Sequence, residues 1–390
     1  MKTTRKGFLK AVAGGGLLPV LGAAELKTQK ISEIQFYPFF LESKDVMRIA
    51  FATMAAADVL VRVRTNDGII GWGDASPFAP VTGDTQETAV VMGKKLAEVV
   101  RNRNPFEVPR ILDDMDKTLA GQPSIKAAIE MALWDICGKV AGQPVYRLLG
   151  QFRDSFETDC TVYLDEPQSM AEKARAVVNR GFRIIKVKLG ETPEKDMERM
   201  RAVRAALGRD IRIRIDANQG WSPADAVRAL RGLEQFQLEF CEQPVSASDW
   251  AGMGFVRQHV GIPIMADEAV HSAADAIEAA RTQATDMINI KLMKAGGILP
   301  SARIAEIAAA ANMKCMLGCM SETRIALTAA AHVAFSQRAV QYADLDAFTE
   351  HKTDPVIGGM KVQGGVVTLP EAPGLGLDVN PAFLKDLRAA

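Results

Sequence analysis

Five ionisable residues recur along the second half of this chain, about 25 residues apart, each at the end of a short apolar or alternating run. They are Lys188 in FRIIKVKLG, Asp216 in IRIRIDANQGW, Glu242 in LEFCEQP, Asp267 in IPIMADE and Lys291 in MINIKLMKAGG. A helix-like segment follows each. Repeated βα units give this rhythm, and a barrel made of them gathers the C-terminal ends of its strands at one mouth. One charged strand end is ordinarily just solvated; five at matching places in consecutive units are spaced for chemistry. Carboxylate oxygens suit a hard cation such as magnesium, which makes Asp216, Glu242 and Asp267 the candidate metal ligands. Lysines on a barrel wall suit proton transfer, because burial and a nearby cation lower an ammonium pKa. Lys188 and Lys291 are therefore the candidate acid–base pair, with Lys186 beside them.

The rest of the pattern supports a barrel count rather than an open sheet. From Glu157 to Ala343 eight β-prone runs alternate with helical segments, and no helix follows the eighth. Before residue 150 the order differs. Strands at 30–37, 58–64 and 69–73, the last two joined by the turn Asn66-Asp67-Gly68, precede helices at 85–101, 108–119 and 124–140, the last strongly amphipathic. Residues 42–57 form a loop of mixed polarity. The expected organisation is an α+β domain over 26–150, a barrel over 151–346, and a Gly- and Pro-rich tail over 347–390 that returns to the first domain.

Composition narrows the function. The 390 residues carry 47 Lys+Arg and 47 Asp+Glu, which argues against a nucleic-acid or polybasic membrane surface. The five cysteines form no CxxC pair and read as buried thiols. Residues 1–25 read as an export leader: Lys2, Arg5, Lys6 and Lys10 precede or enter the apolar run from Ala11 to Leu21, and Gly22-Ala23-Ala24 offers small residues for cleavage. Thr4 to Lys10 is similar to a twin-arginine signal with lysine in the second place. The apolar run is too short to span a membrane comfortably. Periplasmic residence, with no membrane association after export, is the expectation; a cytoplasmic enzyme with an N-terminal extension is the alternative.

With these residues in place, the chain resembles the enolase superfamily and its muconate lactonizing subgroup. The resemblance rests on Lys186-x-Lys188, Asp216-Ala217-Asn218, Glu242-Gln243-Pro244, Asp267-Glu268, Lys291 and the SIKAAIEMALWDICGK helix. It implies an α/β fold, a modified TIM barrel of (β/α)7β type with an N-terminal α+β capping domain completed by the tail, and one Mg²⁺ per subunit, often in a homo-oligomer. Within the subgroup the chain looks most like the dipeptide epimerases, the L-Ala-D/L-Glu epimerase kind in particular, because Asp344-Leu345-Asp346 stands at the eighth strand end. There the resemblance implies that the acidic pair holds a substrate ammonium, which two carboxylates remote from the metal suit chemically. It also implies that Thr161 and Met320-Ser321-Glu322 line the substrate pocket.

The implied reaction is inversion at the α-carbon of a dipeptide's C-terminal residue. Removing that proton leaves an enediolate, which a divalent metal stabilises. Lys188 and Lys291, from the second and sixth strands, face each other across the barrel axis, so one can take the proton and the other return it to the opposite face. Lys186 is cast as an electrostatic partner of the substrate carboxylate, with Asn218 and Glu268 as supporting hydrogen-bonding groups. In the glutamate-specific relatives the first loop carries an arginine; here Phe51 stands in its place, near Thr53 and Met54, with Arg48 a turn away. A glutamate side chain buried against Phe51 is costly, so an apolar partner is as open as glutamate. Two other readings remain: a lyase or cycloisomerase of the same superfamily, such as an o-succinylbenzoate synthase or muconate cycloisomerase, and a periplasmic binder of short peptides.

Overall fold

Gly71 and Gly73 show how the first part of the chain is assembled. In this computed structural model, which describes residues 29–390, strand β1 (Ile31–Leu41) leads through a small hairpin of β2 (Met47–Arg48) and β3 (Thr53–Met54) into β4 (Ala56–Thr65) and β5 (Ile70–Ala75). Strands β1, β4 and β5 form an antiparallel sheet. Helix Pro123–Ala141 lies so close on β5 that a Cβ on Gly73 would sit 1.8 Å from the Ala128 carbonyl oxygen, and one on Gly71 2.1 Å from that of Ala132. This helix is not the strongly amphipathic one its sequence suggests. It is buried on nearly every side, because the sheet covers one flank and the second half of the molecule the other. The leader expected over residues 1–25 lies outside the described residues.

After β6 (Phe156–Glu157) come eight parallel strands: β7 (Cys160–Val162), β8 (Ile184–Lys188), β9 (Arg212–Asp216), β10 (Leu238–Glu242), β11 (Ile264–Ala266), β12 (Met287–Ile290), β13 (Lys314–Leu317) and β14 (Val340–Ala343). They are hydrogen-bonded in chain order. The first and last meet where the Asp159 amide donates to the Ala343 carbonyl (3.2 Å) and the Leu345 amide to Thr158 Oγ1 (2.8 Å), so the sheet curls round on itself. A helix follows each of β7 to β13, but only a short 3₁₀ turn, Ala347–Glu350, follows β14. The helices start where the sequence caps them: Thr192, Ser222, Asp249, Ser272 and Thr323 each accept a first-turn amide on the side chain. This is the expected (β/α)7β arrangement.

One level below the strand tips the barrel is filled. Phe240, Met265, Met287 and Met316 form a buried cluster with Tyr342 against it. Arg214 crosses beneath the mouth, bonded to Asp159 and Glu239 (2.8 Å each) and flanked by the Phe240 and Tyr342 rings. Such a paired, ring-stacked guanidinium satisfies its charge without solvent. The polar chemistry is thus confined to the C-terminal mouth, as in other barrels of this kind.

Two buried carboxylates tie the N-terminal half to the barrel. Glu130 accepts the Ile298 and Leu299 amides (2.7 and 2.8 Å) at the start of helix Ile298–Ala310, and Asp74 accepts the Thr323 amide and hydroxyl (2.9 and 2.7 Å). Beyond residue 350, β15 (Val356–Gly358), β16 (Lys361–Gln363), β17 (Val366–Thr368) and β18 (Leu377–Val379) make two small sheets, in which β15 pairs with β18 and β17 joins β16 to β6. The tail also reaches the first half of the chain: Trp72 Nε1 donates to Asp378, and the Val145 amide to the Gly374 carbonyl (2.8 and 3.0 Å).

Candidate active site

Strand register fixes the level of the site. Lys188 pairs with Asp216, and Asp216 with Glu242, so these three leave neighbouring strands at one height. Asp267 and Lys291 each stand one residue past the ends of β11 and β12. Just after β9 and β10 the chain turns through the left-handed region at Asn218 (φ 41°) and Gln243 (φ 33°), conformations that cluster at functional sites. Gln243 makes use of its turn: its side-chain oxygen accepts the Asp267 and Ala269 amides (2.8 and 3.2 Å), fixing the start of the next loop.

The three carboxylates are buried and interleaved with lysines. Lys188 Nζ lies 2.7 Å from Asp216, and Lys291 Nζ 2.8 Å from Asp267. Lys186 Nζ touches Asp216, Glu242 and Asp344 at 3.1, 2.8 and 2.8 Å. Lys294 Nζ lies 2.7 Å from Asp267. Asn289 Nδ2 donates to Glu242 Oε1 (2.6 Å), and the Asn218 amide to Asp216 Oδ1 (2.9 Å). Burial opposes ionisation of Asp216 and Asp267, but their lysines outweigh it and hold both below the ordinary range. For Glu242 burial and Asp216 prevail, pushing it up to about 7. Burial works against the Lys291 ammonium too, yet Asp267 and Glu242 keep its pKa above the usual value.

A hard divalent cation fits this donor set. All the donors are carboxylate oxygens, and two of them, Glu242 Oε2 and Asp267 Oδ1, are buried in charge contact with lysine but receive no aligned hydrogen bond. The groups whose ligand atoms fall within 4.8 Å of one another among the described residues are different ones: Cys319–Asp344–Asp346 and Cys160–Asp346–Glu350.

Of those groups Cys319, Asp344 and Asp346 line one cavity together with Lys188, Lys291, Asn218, Glu268, Thr161 and Met320. Lys186 holds Asp344 well below the carboxylate range against its burial, while burial and Asp344 push Asp346 up to about 7. Asp344 Oδ1 is buried without a partner, and Asp346 Oδ2 accepts the Thr161 amide (2.6 Å). Of the remaining residues singled out from the sequence, Lys186 lies beneath the cavity floor. Ser321, Glu322 and Leu345 are buried but do not line it; Glu322 accepts the Met320 amide (2.5 Å) and the Leu345 amide donates to Thr158 Oγ1. Phe51 does not line the cavity; it is 42% exposed and stacks on Phe78, which does.

Residues 39–150 match the family model for the mandelate racemase / muconate lactonizing enzyme N-terminal domain, and residues 169–383 match that of the enolase C-terminal domain-like group. The chain belongs to the mandelate racemase / muconate lactonizing enzyme family. Among relatives in that family, the hydrophobic dipeptide epimerase of Enterococcus faecalis is 40% identical over 351 residues, 89% of this chain and 99% of that protein. The L-Ala-D/L-Glu epimerase of Bacillus subtilis is 39% identical over 366 residues, 92% of this chain and 97% of that one. The solved structure of the Cytophaga hutchinsonii dipeptide epimerase, complexed with Mg and D-Ala-L-Val, superposes with a TM-score of 0.91 at 37% identity, covering 93% of this chain and 99% of that one.

Several further residues stand in or beside the site of this family member. Lys294 follows Lys291 by one helical turn in the same KLMKAGG run, a spacing that signalled its position. Asn289 sits two residues before Lys291 on β12, so it faces the same side of the sheet. Phe78, Val81, Tyr163 and Cys319 line the cavity with no local motif to announce them.

Proposed function

We infer that this chain is a metal-dependent dipeptide epimerase that inverts the α-carbon of the dipeptide's C-terminal residue. The observation that carries the reading is the placement of Lys188 and Lys291, from the second and sixth of eight strands, on one cavity that Asp344 and Asp346 also line. A binding site for a zwitterion has no use for a base on each side. A lyase or cycloisomerase has no evident use for Asp344 and Asp346.

Asp216, Glu242 and Asp267 would hold the metal. A divalent cation there would supply Lewis-acid stabilisation to a substrate carboxylate and would offset the negative charge of Asp267 and Glu242 that raises the Lys291 pKa. Asp344 and Asp346 receive the substrate's α-ammonium, which sets the dipeptide's direction across the cavity. Its C-terminal α-carbon then lies between the Lys188 and Lys291 side chains. One lysine, as the free amine, removes the α-proton; the other, as the ammonium, delivers a proton to the opposite face of the enediolate. Lys186, held among three carboxylates, keeps Asp344 ionised. Lys294, bonded to the Asp267 and Asn289 carbonyls, holds the β11 and β12 loops together.

The test is stereochemical. Lys188→Ala and Lys291→Ala should each abolish interconversion of the two epimers. Each should still exchange the α-proton of one epimer, a different one in the two variants. Near-full interconversion by either variant contradicts the two-base assignment. The leader-like residues 1–25 favour a periplasmic enzyme, acting on short peptides such as those released in cell-wall turnover, and the family resemblance favours a homo-oligomer. Among the described residues no helix is long and apolar enough to cross a membrane.

A further inference from the structure

The barrel side of the cavity carries every charge: Lys188, Lys291, Glu268, Asp344 and Asp346. The opposite wall is made by the N-terminal half and has none; it consists of Ile49, Met54, Phe78 and Val81. Ile49 and Met54 come from the β2–β3 hairpin, whose underside forms one buried apolar cluster with Tyr163 of the barrel. The hairpin is fastened to the rim on both flanks. The Leu164 amide donates to the Arg48 carbonyl (2.9 Å), the Lys44 amide to the Glu350 carbonyl (2.8 Å), and the Lys352 amide to the Glu42 carbonyl (2.8 Å). The apolar wall is therefore built before a substrate arrives.

The one cation of the hairpin faces away from this wall. Arg48 Nη2 sits 2.5 Å from Glu191 on the rim, with about half its side chain in solvent. Glu191 is itself fixed by Arg199 at 2.6 Å. Phe51, at the hairpin tip, lies nearly parallel to Phe78 with ring centroids 6.2 Å apart and an interplanar angle of 25°. It extends the apolar wall outwards and holds the Phe78 ring in place.

Resting on the epimerase reading, we propose that this enzyme acts on dipeptides whose epimerised residue is apolar, aliphatic or aromatic, and that Phe78, Met54 and Ile49 receive that side chain, with Phe51 as a positioning residue behind Phe78. The geometry supports this because the ammonium end is fixed at Asp344 and Asp346 and the α-carbon lies between the lysines, so the C-terminal side chain has the cap wall to fill. A glutamate there would leave its carboxylate unpaired against Phe78 and Met54, and a lysine its ammonium; both are costly. Each matched methylene in such a pocket is worth about 10- to 200-fold in kcat/KM.

The measurement is kcat/KM for α-proton exchange in D₂O with Mg²⁺, for L-Ala-L-Leu, L-Ala-L-Phe, L-Ala-L-Glu and L-Ala-L-Lys. The first two should exceed the last two by about 100-fold or more. Arg48→Ala should leave that order unchanged. Met54→Lys puts a cation on a half-buried position of similar length, and should raise L-Ala-L-Glu relative to L-Ala-L-Leu by about 10-fold or more. Glutamate or lysine within 10-fold of leucine in the unaltered enzyme, or loss of glutamate turnover on removing Arg48, overturns the inference and leaves the epimerase reading standing. Exchange on no dipeptide at all overturns both.

Discussion

Asp346 offers a quantitative test of how the substrate's amino end is held. Burial and the neighbouring Asp344 push its pKa up to about 7, so at pH 5.5 only about one thirtieth of it is ionised, each unit being tenfold. If the ionised carboxylate holds the substrate ammonium, kcat/KM should fall about 30-fold from its plateau to pH 5.5. On the alkaline side the substrate's own α-amino group loses its proton near about 8, so the optimum should lie between. In Asp346→Asn the acid limb disappears. A charged hydrogen bond is worth roughly 1.5–3 kcal/mol, so the variant should lose about 100-fold at pH 7.5 but only a few-fold at pH 5.5, where the parent carboxyl is already neutral. Calorimetry in buffers of different ionisation enthalpy gives a second readout: dipeptide binding at pH 6 should release close to one proton, and none in the variant. An acid limb that persists unchanged in Asp346→Asn refutes the reasoning and hands the titration to Glu242 or Glu268, which burial also raises, to about 7 and about 8.

Two further predictions concern the seams of the fold. His332 Nδ1 accepts the Tyr146 amide (3.0 Å) and its Nε2 faces the Leu375 carbonyl (3.3 Å), so only the neutral ring satisfies both, and burial lowers its pKa to about 4. The unfolded chain binds this proton from about 6.5 downwards and the folded one does not, so stability present above pH 6.5 should drain away towards pH 4, by roughly 3 kcal/mol. Urea midpoints from pH 7 to 4.5 should show this, and His332→Gln should flatten the dependence by that amount. Gly73→Ala should destabilise by about 2 kcal/mol or more, because its methyl would meet the Ala128 carbonyl at 1.8 Å; an unchanged Tm would mean that the helix over β5 can move aside.

The barrel and its charged mouth were legible because each of their elements is announced locally. Strands of period two, capped helix starts and a single ionisable residue at each strand end are short-range signals, and five of them in phase leave few alternatives. Helix Pro123–Ala141 departs from its amphipathic sequence pattern because its two buried flanks face partners far away in sequence, and the polar residues on it, Glu130 and Asp135, are themselves buried and satisfied by Ile298 and Leu375 amides. The place of Phe51 in the loop points it towards the cavity, yet it does not line it. The structure puts Phe78 there, since a two-residue strand pairing, Met47 with Met54 and Arg48 with Thr53, sets which hairpin side chains face inward. Whether Arg48 turns in or out was likewise invisible, because its partner Glu191 lies 143 residues away.

The most direct test of the central claim is proton exchange by mass spectrometry. The purified protein, with Mg²⁺ in D₂O, is given a mixed library of L-Xaa-L-Xaa dipeptides. Abstraction of the C-terminal α-proton and its replacement from solvent should add one dalton to a subset of the dipeptides, with the D-configured epimer accumulating in step, and chelator should abolish both. A protein that is folded and metal-loaded but leaves every dipeptide unlabelled would contradict the account, and would point instead to the lyase chemistry of the same superfamily.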